Sequence, residues 1–268
     1  MDDIQAPIRC GIGGWVFPAW RGGVFYPTGL RQREELAFAS SALRCIEING
    51  TFYRTPTPAL CAQWAAQAPA GFRFSMKAPR HLVQRHELAG VVDAAAPFLQ
   101  AALGLGDRLG PLLWQFGPDH PADASALADF IAALPASLQG VRLQHALEVR
   151  RSDAWQPALV HAARQHNVAL VIEDSADTTL HGDLSADFVY ARIKRSQTRL
   201  KAGLPAPLLQ RWAARAQAWA GAAPVTDIPL LAEAAPLRPR EVYLLCIGAG
   251  KVRNPAAAIA LQQRCDGD

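Results

Sequence analysis

Eight short apolar runs, spaced along the whole chain and separated by stretches of helical period, constrain this sequence more than any other feature. The runs cover 8–13, 44–49, 72–77, 111–116, 145–149, 169–173, 187–193 and 241–247. Helical periodicity follows at 31–42, 58–67, 93–105, 123–134, 156–166 and 205–220, and again after the last run at 255–264. Only 176–184 breaks the rhythm, being too short and Gly-interrupted for more than one or two turns. Strict strand-then-helix order at this length predicts a TIM-type (β/α)8 barrel, with residues 1–268 forming a single domain. An open doubly wound sheet is the alternative. It usually carries a GxGxxG or GxxxxGK[ST] phosphate loop after a strand, and none occurs here. The stretch Cys10-Gly11-Ile12-Gly13-Gly14-Trp15 offers only GxGG, with no helix directly behind it. Residues 221–240 are rich in Pro and Ala and read as a long surface connection or irregular lid. Helix starts are marked by Pro58 behind the cap candidate Thr57, by Pro205, and by Pro255 behind Asn254.

Composition narrows the functional classes. Half of the 268 residues are hydrophobic, enough for a large buried core. The net charge of +4 permits an anionic ligand without demanding nucleic acid. Cys10, Cys45, Cys61, Cys246 and Cys265 form no CxxC pair, which points to reduced thiols in a cytoplasmic protein. The N-terminus, Met1-Asp2-Asp3-Ile4-Gln5, has the wrong chemistry for a signal peptide. No apolar run approaches the roughly 20 residues of a membrane span. No cofactor motif is present, and a small-molecule ligand is the expected partner. Nothing in the sequence sets an oligomeric state.

In a barrel, chemistry collects at the C-terminal ends of the strands. The second run ends Cys45-Ile46-Glu47-Ile48-Asn49. Side chains alternate faces along a strand, so Glu47 and Asn49 share one face while Ile46 and Ile48 share the other. Later strand ends add Lys77, Gln115, Glu148 with Arg150, Glu173 with Asp174, and Arg192 with Lys194. Converging charges are costly to desolvate, which favours a ligand site over a salt-bridged plug. Carboxylates beside cations suit orientation or proton abstraction. Lys77, Arg150, Arg192 and Lys194 suit an anionic group. Glu47, Glu148 and Asp174 offer metal-type donors, but no strand-end His joins them, so no metal is assigned. His81 and His86, after the third run, are acid–base candidates in a loop.

Aromatic residues crowd the loop after the first run, from Trp15 through Trp20 to Phe25 and Tyr26. They form either a stacking surface for a sugar or base or a lid packed on the rim. Phe52, Tyr53 and Arg54 join them at the same mouth.

These stretches resemble the YecE-like family, also called domain of unknown function 72. The matching residues are Gly11-Ile12-Gly13-Gly14-Trp15, Trp20-Arg21-Gly22, Phe25-Tyr26-Pro27 and Glu47-Ile48-Asn49-Gly50-Thr51-Phe52-Tyr53. Further matches are Trp64, Pro69, 72–77 and 109–116. The resemblance spans nearly the whole chain and implies a TIM-barrel-like fold with no established activity. It weakens towards the C-terminus. The family pattern Glu-Phe-Arg-His becomes Glu148-Val149-Arg150-Arg151, with Trp155 kept. The run Tyr190-Ala191-Arg192-Ile193-Lys194-Arg195 lacks the family's His-Gly, and Cys246-Ile247-Gly248-Ala249 lacks its amide pair.

Two functions follow as expectations. The first is an enzyme acting on a small polar or anionic substrate, phosphorylated or sugar-like. Glu47 and Glu148 would be its acid–base residues, and Asn49 and Gln115 would orient the substrate. Lys77, Arg150 and Arg192 would stabilise negative charge, with Asp174, Lys194, Trp15, Trp20 and Tyr53 completing the binding set. The second is a non-catalytic protein that binds a metabolite or single-stranded nucleic acid on Trp15, Trp20, Phe52 and Tyr53.

Overall fold

The computed structural model of the chain describes residues 5–267. Its eight strand positions are β1 (Ile8–Gly13), β2 (Cys45–Ile48), β3 (Arg73–Lys77), β4 (Leu109–Phe116), β5 (His145–Val149), β6, β7 (Phe188–Ile193) and β8 (Glu241–Cys246). The sixth position, expected as one run over 169–173, is split into Val168–Leu170 and Ile172–Asp174. Its first half pairs with β5 and its second with β7, all in parallel. Val171 lies between them, and its N–H still donates to the Leu147 carbonyl at 2.9 Å. With β8 paired to β1 as well, the ring is complete apart from that irregular step.

The barrel has two cores because each strand is buried on both faces. Inside the ring, Cys45, Leu113, Ala146, Ala169, Phe188, Tyr243 and Leu245 pack together. Outside, the opposite strand faces meet the helices. Trp114 sits edge-on to Phe98 and Phe130, for example. Gly11 permits the close approach of β1 to β2, since a β-carbon there would lie 2.0 Å from the Cys45 carbonyl oxygen.

The helices are α1 (Glu35–Ala42), α2 (Pro58–Gln67), α3 (Arg80–Val83), α4 (Val91–Ala94), α5 (Ala96–Leu103), α6 (Ala124–Ala133), α7 (Pro157–Gln165), α8 (Ala206–Ala220) and α9 (Asn254–Asp266). Local chemistry accounts for their ends. Thr57 caps α2 by accepting from Leu60 N–H at 3.2 Å, and Asp123 caps α6 by accepting from Ala126 N–H at 2.9 Å. The single helix expected over 93–105 is divided at Ala95, where Pro97 falls in the first turn of α5 and withholds an N–H. Asn254 is not the cap expected of it. It is the first helical residue, and its side chain accepts from Gly248 N–H at 3.4 Å. A small hairpin, Ser137–Leu138 with Val141–Arg142, turns through Gln139 and Gly140, both at positive φ.

No helix lies between β6 and β7. The 221–240 connection covers that gap. Gly182 N–H donates to the Pro229 carbonyl at 2.9 Å. The Asp183 carboxylate accepts from the backbone N–H groups of Leu231 and Ala232, and Arg240 Nε donates to the Ala186 carbonyl. Arg164 on α7 reaches Glu233 at 2.8 Å.

Candidate active site at the barrel mouth

Period-two alternation places Ser75 and Lys77 on β3, Leu113 and Gln115 on β4, and Ala146 and Glu148 on β5 towards the barrel axis. Ala169, Val171 and Glu173 follow on β6, then Tyr190 and Arg192 on β7. The register sets Gln115 beside Glu148 and Arg192 beside Glu173. Polar residues occupy the upper part of this inward face, and they form one connected network.

At its base, Ser75 Oγ and Tyr190 Oη lie 2.8 Å apart, and Tyr190 donates to Glu47 Oε2 at 2.8 Å. Arg192 is buried and forks between two carboxylates, donating from Nη2 to Glu47 Oε1 at 3.0 Å and from Nη1 to Glu148 Oε2. Glu148 Oε1 also accepts from Gln115 Nε2 at 2.6 Å and from Lys194 Nζ at 3.1 Å. Gln115 in turn accepts from Lys77, whose ammonium lies 4.3 Å over the Phe52 ring. Lys194 Nζ stands 2.8 Å from Glu173 Oε2, and Arg150 Nε stands 3.8 Å from Glu173 Oε1. Neither Glu173 contact has hydrogen-bond geometry. Both Glu173 oxygens and Arg150 Nε are therefore buried without a hydrogen-bond partner among the described residues.

The two upper carboxylates are driven in opposite directions. Burial works against the charge on Glu148, but Arg192, the adjacent Glu173 carboxyl, Lys194 and Gln115 outweigh it and hold the group well below the carboxylate range. Burial raises Glu173, and the neighbouring Glu148 carboxylate raises it further against the pull of Lys194. Lys77 is lowered by burial and by Arg192. Burial and Glu47 push the Tyr190 phenol well up, so it stays a donor.

Beside Glu148 and Glu173 opens a cavity of about 300 Å³, also lined by Arg150, Ser152, Trp155 and His181. The His181 ring stacks on Trp155 at 4.7 Å, and its Nδ1 is buried without a partner among the described residues. Burial lowers the His181 pKa, which keeps the ring neutral near pH 7.

Several expected residues meet here: Glu47, Lys77, Gln115, Glu148, Arg150, Arg192 and Lys194. Glu47 is 0% exposed and engaged through both oxygens, by Tyr190 and by Arg192, at the base of the network. Asp174 lies on the opposite face of β6. It accepts from Trp212 Nε1 at 2.9 Å and from Arg195 Nε at 2.8 Å, pinning α8 to the strand. Glu173 holds the inward position instead. Its parity with Ala169 and Val171 was a signal present in the sequence. Trp20 is buried among Phe17, Phe25 and Tyr26 and donates to the Lys251 carbonyl at 2.9 Å. It has no free face for stacking, so that part of the aromatic loop is packing. Trp15 is half-buried against Trp64, while Asn49 and the 72%-exposed Tyr53 border a separate groove over β1 and β2. No cluster of three or more His, Cys, Asp or Glu among the described residues is placed to hold a metal ion. No helix among them is long and apolar enough to cross a membrane.

A closed parallel β/α ring with charged groups gathered at its strand ends defines a TIM-barrel protein with a mouth-centred site. Residues 9–266 match the model of the family described as protein of unknown function DUF72, and the chain belongs to that family. It is 29% identical over 170 residues to the UPF0759 protein YecE of Escherichia coli K12. That match covers 63% of this chain and 59% of YecE. Two solved structures share the fold. A DUF72-family protein from Enterococcus faecalis V583 aligns with a TM-score of 0.66 at 17% identity, covering 97% of this chain and 96% of that one. A DUF72-family protein from Thermotoga maritima MSB8 aligns with a TM-score of 0.66 at 16% identity, covering 96% and 98%. The relatives share a fold and a family, and no specific activity or substrate comes with them.

Proposed function

We propose that this protein is an enzyme that transfers a proton to or from a small, oxygen-rich, anionic or sugar-like substrate bound between β5 and β6. The observation that carries this reading is the pair Glu148 and Glu173. Two carboxylates meet at one ammonium, and their surroundings push them apart in proton affinity. Such a split is how two neighbouring carboxyls take different proton-transfer roles. Glu173, with raised affinity and held only by ion pairing to Lys194 and Arg150, exchanges the proton. Glu148 remains ionised and fixes Lys194 and Gln115. Arg150 and Lys194 balance negative charge that develops on the substrate. Trp155 supplies a flat apolar wall for a ring or carbon chain. Five free, buried cysteines fit a reducing, cytoplasmic setting.

The test begins with a thermal-shift panel of aldoses, sugar acids and their phosphates. Compounds that stabilise the protein are then incubated with it in D2O and followed by proton NMR. Wild type should wash out a specific C–H signal, and Glu173→Gln should lose that exchange by about 100-fold or more, a typical acid–base contribution. Equal exchange by Glu173→Gln would refute the assignment. The alternative, binding without turnover, draws on Arg151. Where the family pattern carries His, this guanidinium is tied to Asp153 and to the Pro121 carbonyl. Stabilising compounds that show neither exchange nor product would favour it.

A further inference from the structure

A second recess at the mouth shares no residue with the Glu148–Glu173 cavity. It holds about 580 Å³ over the ends of β1 and β2. Trp15 and Trp64 form one wall, edge to face at 5.5 Å, and Tyr53 stands at the rim. Its floor is Gly13, Gly14 and Gly50, crossed by the Asn49 amide. Gly13 makes room for that amide, since a β-carbon there would lie 2.6 Å from Asn49 Nδ2. Gly50 needs no left-handed backbone, and a β-carbon on it would meet no protein atom within 4 Å. Gly50 therefore presents bare, open backbone to the recess.

Charge chooses between occupants. The lining carries Arg54 and Lys251 and no carboxylate. Neither cation makes an ion pair among the described residues, and Lys251 Nζ lies 4.4 Å over the Phe17 ring. Elsewhere at the mouth, Arg192 and Lys194 are paired with carboxylates. The N-terminus of the ten-residue helix α2 also opens here, with Thr57 and Leu60 among the lining residues, and its dipole adds positive potential. Flat aromatic walls beside unpaired cations select a ligand with both a planar ring and negative charge.

We infer that this groove is a binding site for a planar aromatic ring bearing an anionic group. The ring lies along Trp15 and Trp64 on the Gly50 floor, and the anion reaches Arg54 and Lys251. Asn49 borders the ring and offers an amide donor and acceptor to its edge.

Isothermal titration of the full chain with four probes tests this: phenyl phosphate, adenosine 5′-monophosphate, adenosine and inorganic phosphate. At least one of the two ring phosphates should bind at least about tenfold tighter than inorganic phosphate and should quench tryptophan fluorescence. Which of the two binds tells an aryl from a nucleoside ligand. The surface double variant Arg54→Ala/Lys251→Ala should weaken that binding by about tenfold or more while leaving the melting temperature in place. Trp64→Leu should remove the preference for ring phosphate over inorganic phosphate. The inference is overturned if neither ring phosphate exceeds inorganic phosphate, or if the double variant binds as wild type does.

Discussion

Arg192 is the residue whose removal most directly tests the network. Its guanidinium is the only cation donating to both Glu47 and Glu148 among the described residues, and all three side chains are buried. Arg192→Met keeps much of the apolar stem and deletes the charge. Glu47 then retains the Tyr190 hydroxyl alone, and Glu148 retains Gln115 and Lys194. Breaking a buried pair by deleting one partner costs about 3–5 kcal/mol, because a charge is left uncompensated. At about 2–4 °C per kcal/mol for a chain near this size, the melting temperature should fall by roughly 6–20 °C at pH 7. The pH dependence carries a sign. In wild type, Glu148 has a depressed pKa, so its contribution is complete above the ordinary carboxylate range and is lost progressively as pH falls from there through the depressed folded value. Without Arg192, the largest counterweight to burial is gone, and the Glu148 carboxyl is expected to take up a proton more readily than in wild type. Its penalty then grows as pH rises through the raised value. Melting followed by differential scanning fluorimetry at pH 5 and pH 8 should therefore show a larger deficit at pH 8. A deficit equal at both pH values, or one below about 2 °C, would show that Arg192 acts through packing and not through its charge.

Two other outcomes follow from named contacts. Glu173 has a raised pKa, so its stabilising effect is present below the ordinary carboxylate range and is lost as pH rises through the raised folded value. Glu173→Gln should therefore flatten the decline in melting temperature between pH 5 and pH 8; an unchanged slope would contradict the shift. Gly11→Ala would drive a β-carbon into the Cys45 carbonyl and strain the β1–β2 pairing. A loss of more than about 3 kcal/mol in urea unfolding is expected, at the upper end for overpacking, and under about 0.5 kcal/mol would show that the strands can part without cost.

The barrel was legible because its signal is redundant. Eight apolar runs and their intervening helices each repeat the same period, so one irregular unit, the split β6, does not alter the reading. Parity is legible too. Counting from Ala169 through Val171 puts Glu173 inside and Asp174 outside. A shift of one residue exchanges the faces of a strand, and the expected site residue was Asp174. The partners that decide accessibility were not legible. Glu47 looks available in the sequence, but Tyr190 and Arg192, 143 and 145 residues later, cover both its oxygens. Trp20 reads equally as a stacking ring or a packed one until the Lys251 carbonyl, 231 residues away, is seen to take its N–H. The groove over β1 and β2 was half visible. Trp15, Asn49 and Tyr53 were expected at the mouth, but Lys251 arrives from the loop before α9, which no local pattern associates with them.

The strap formed by residues 221–240 bears on how this chain can be cut, shortened or fused. By composition it is the obvious segment to trim: long, Pro-rich and without regular structure. Its contacts with Gly182, Asp183, Ala186 and Arg164 make it the outer wall where the other βα units have a helix. Shortening it would strip the helix-less connection between β6 and β7 of these partners. The Gln139–Gly140 hairpin tip, already exposed and turned away from the strand ends that form the mouth, is the better place to open the chain.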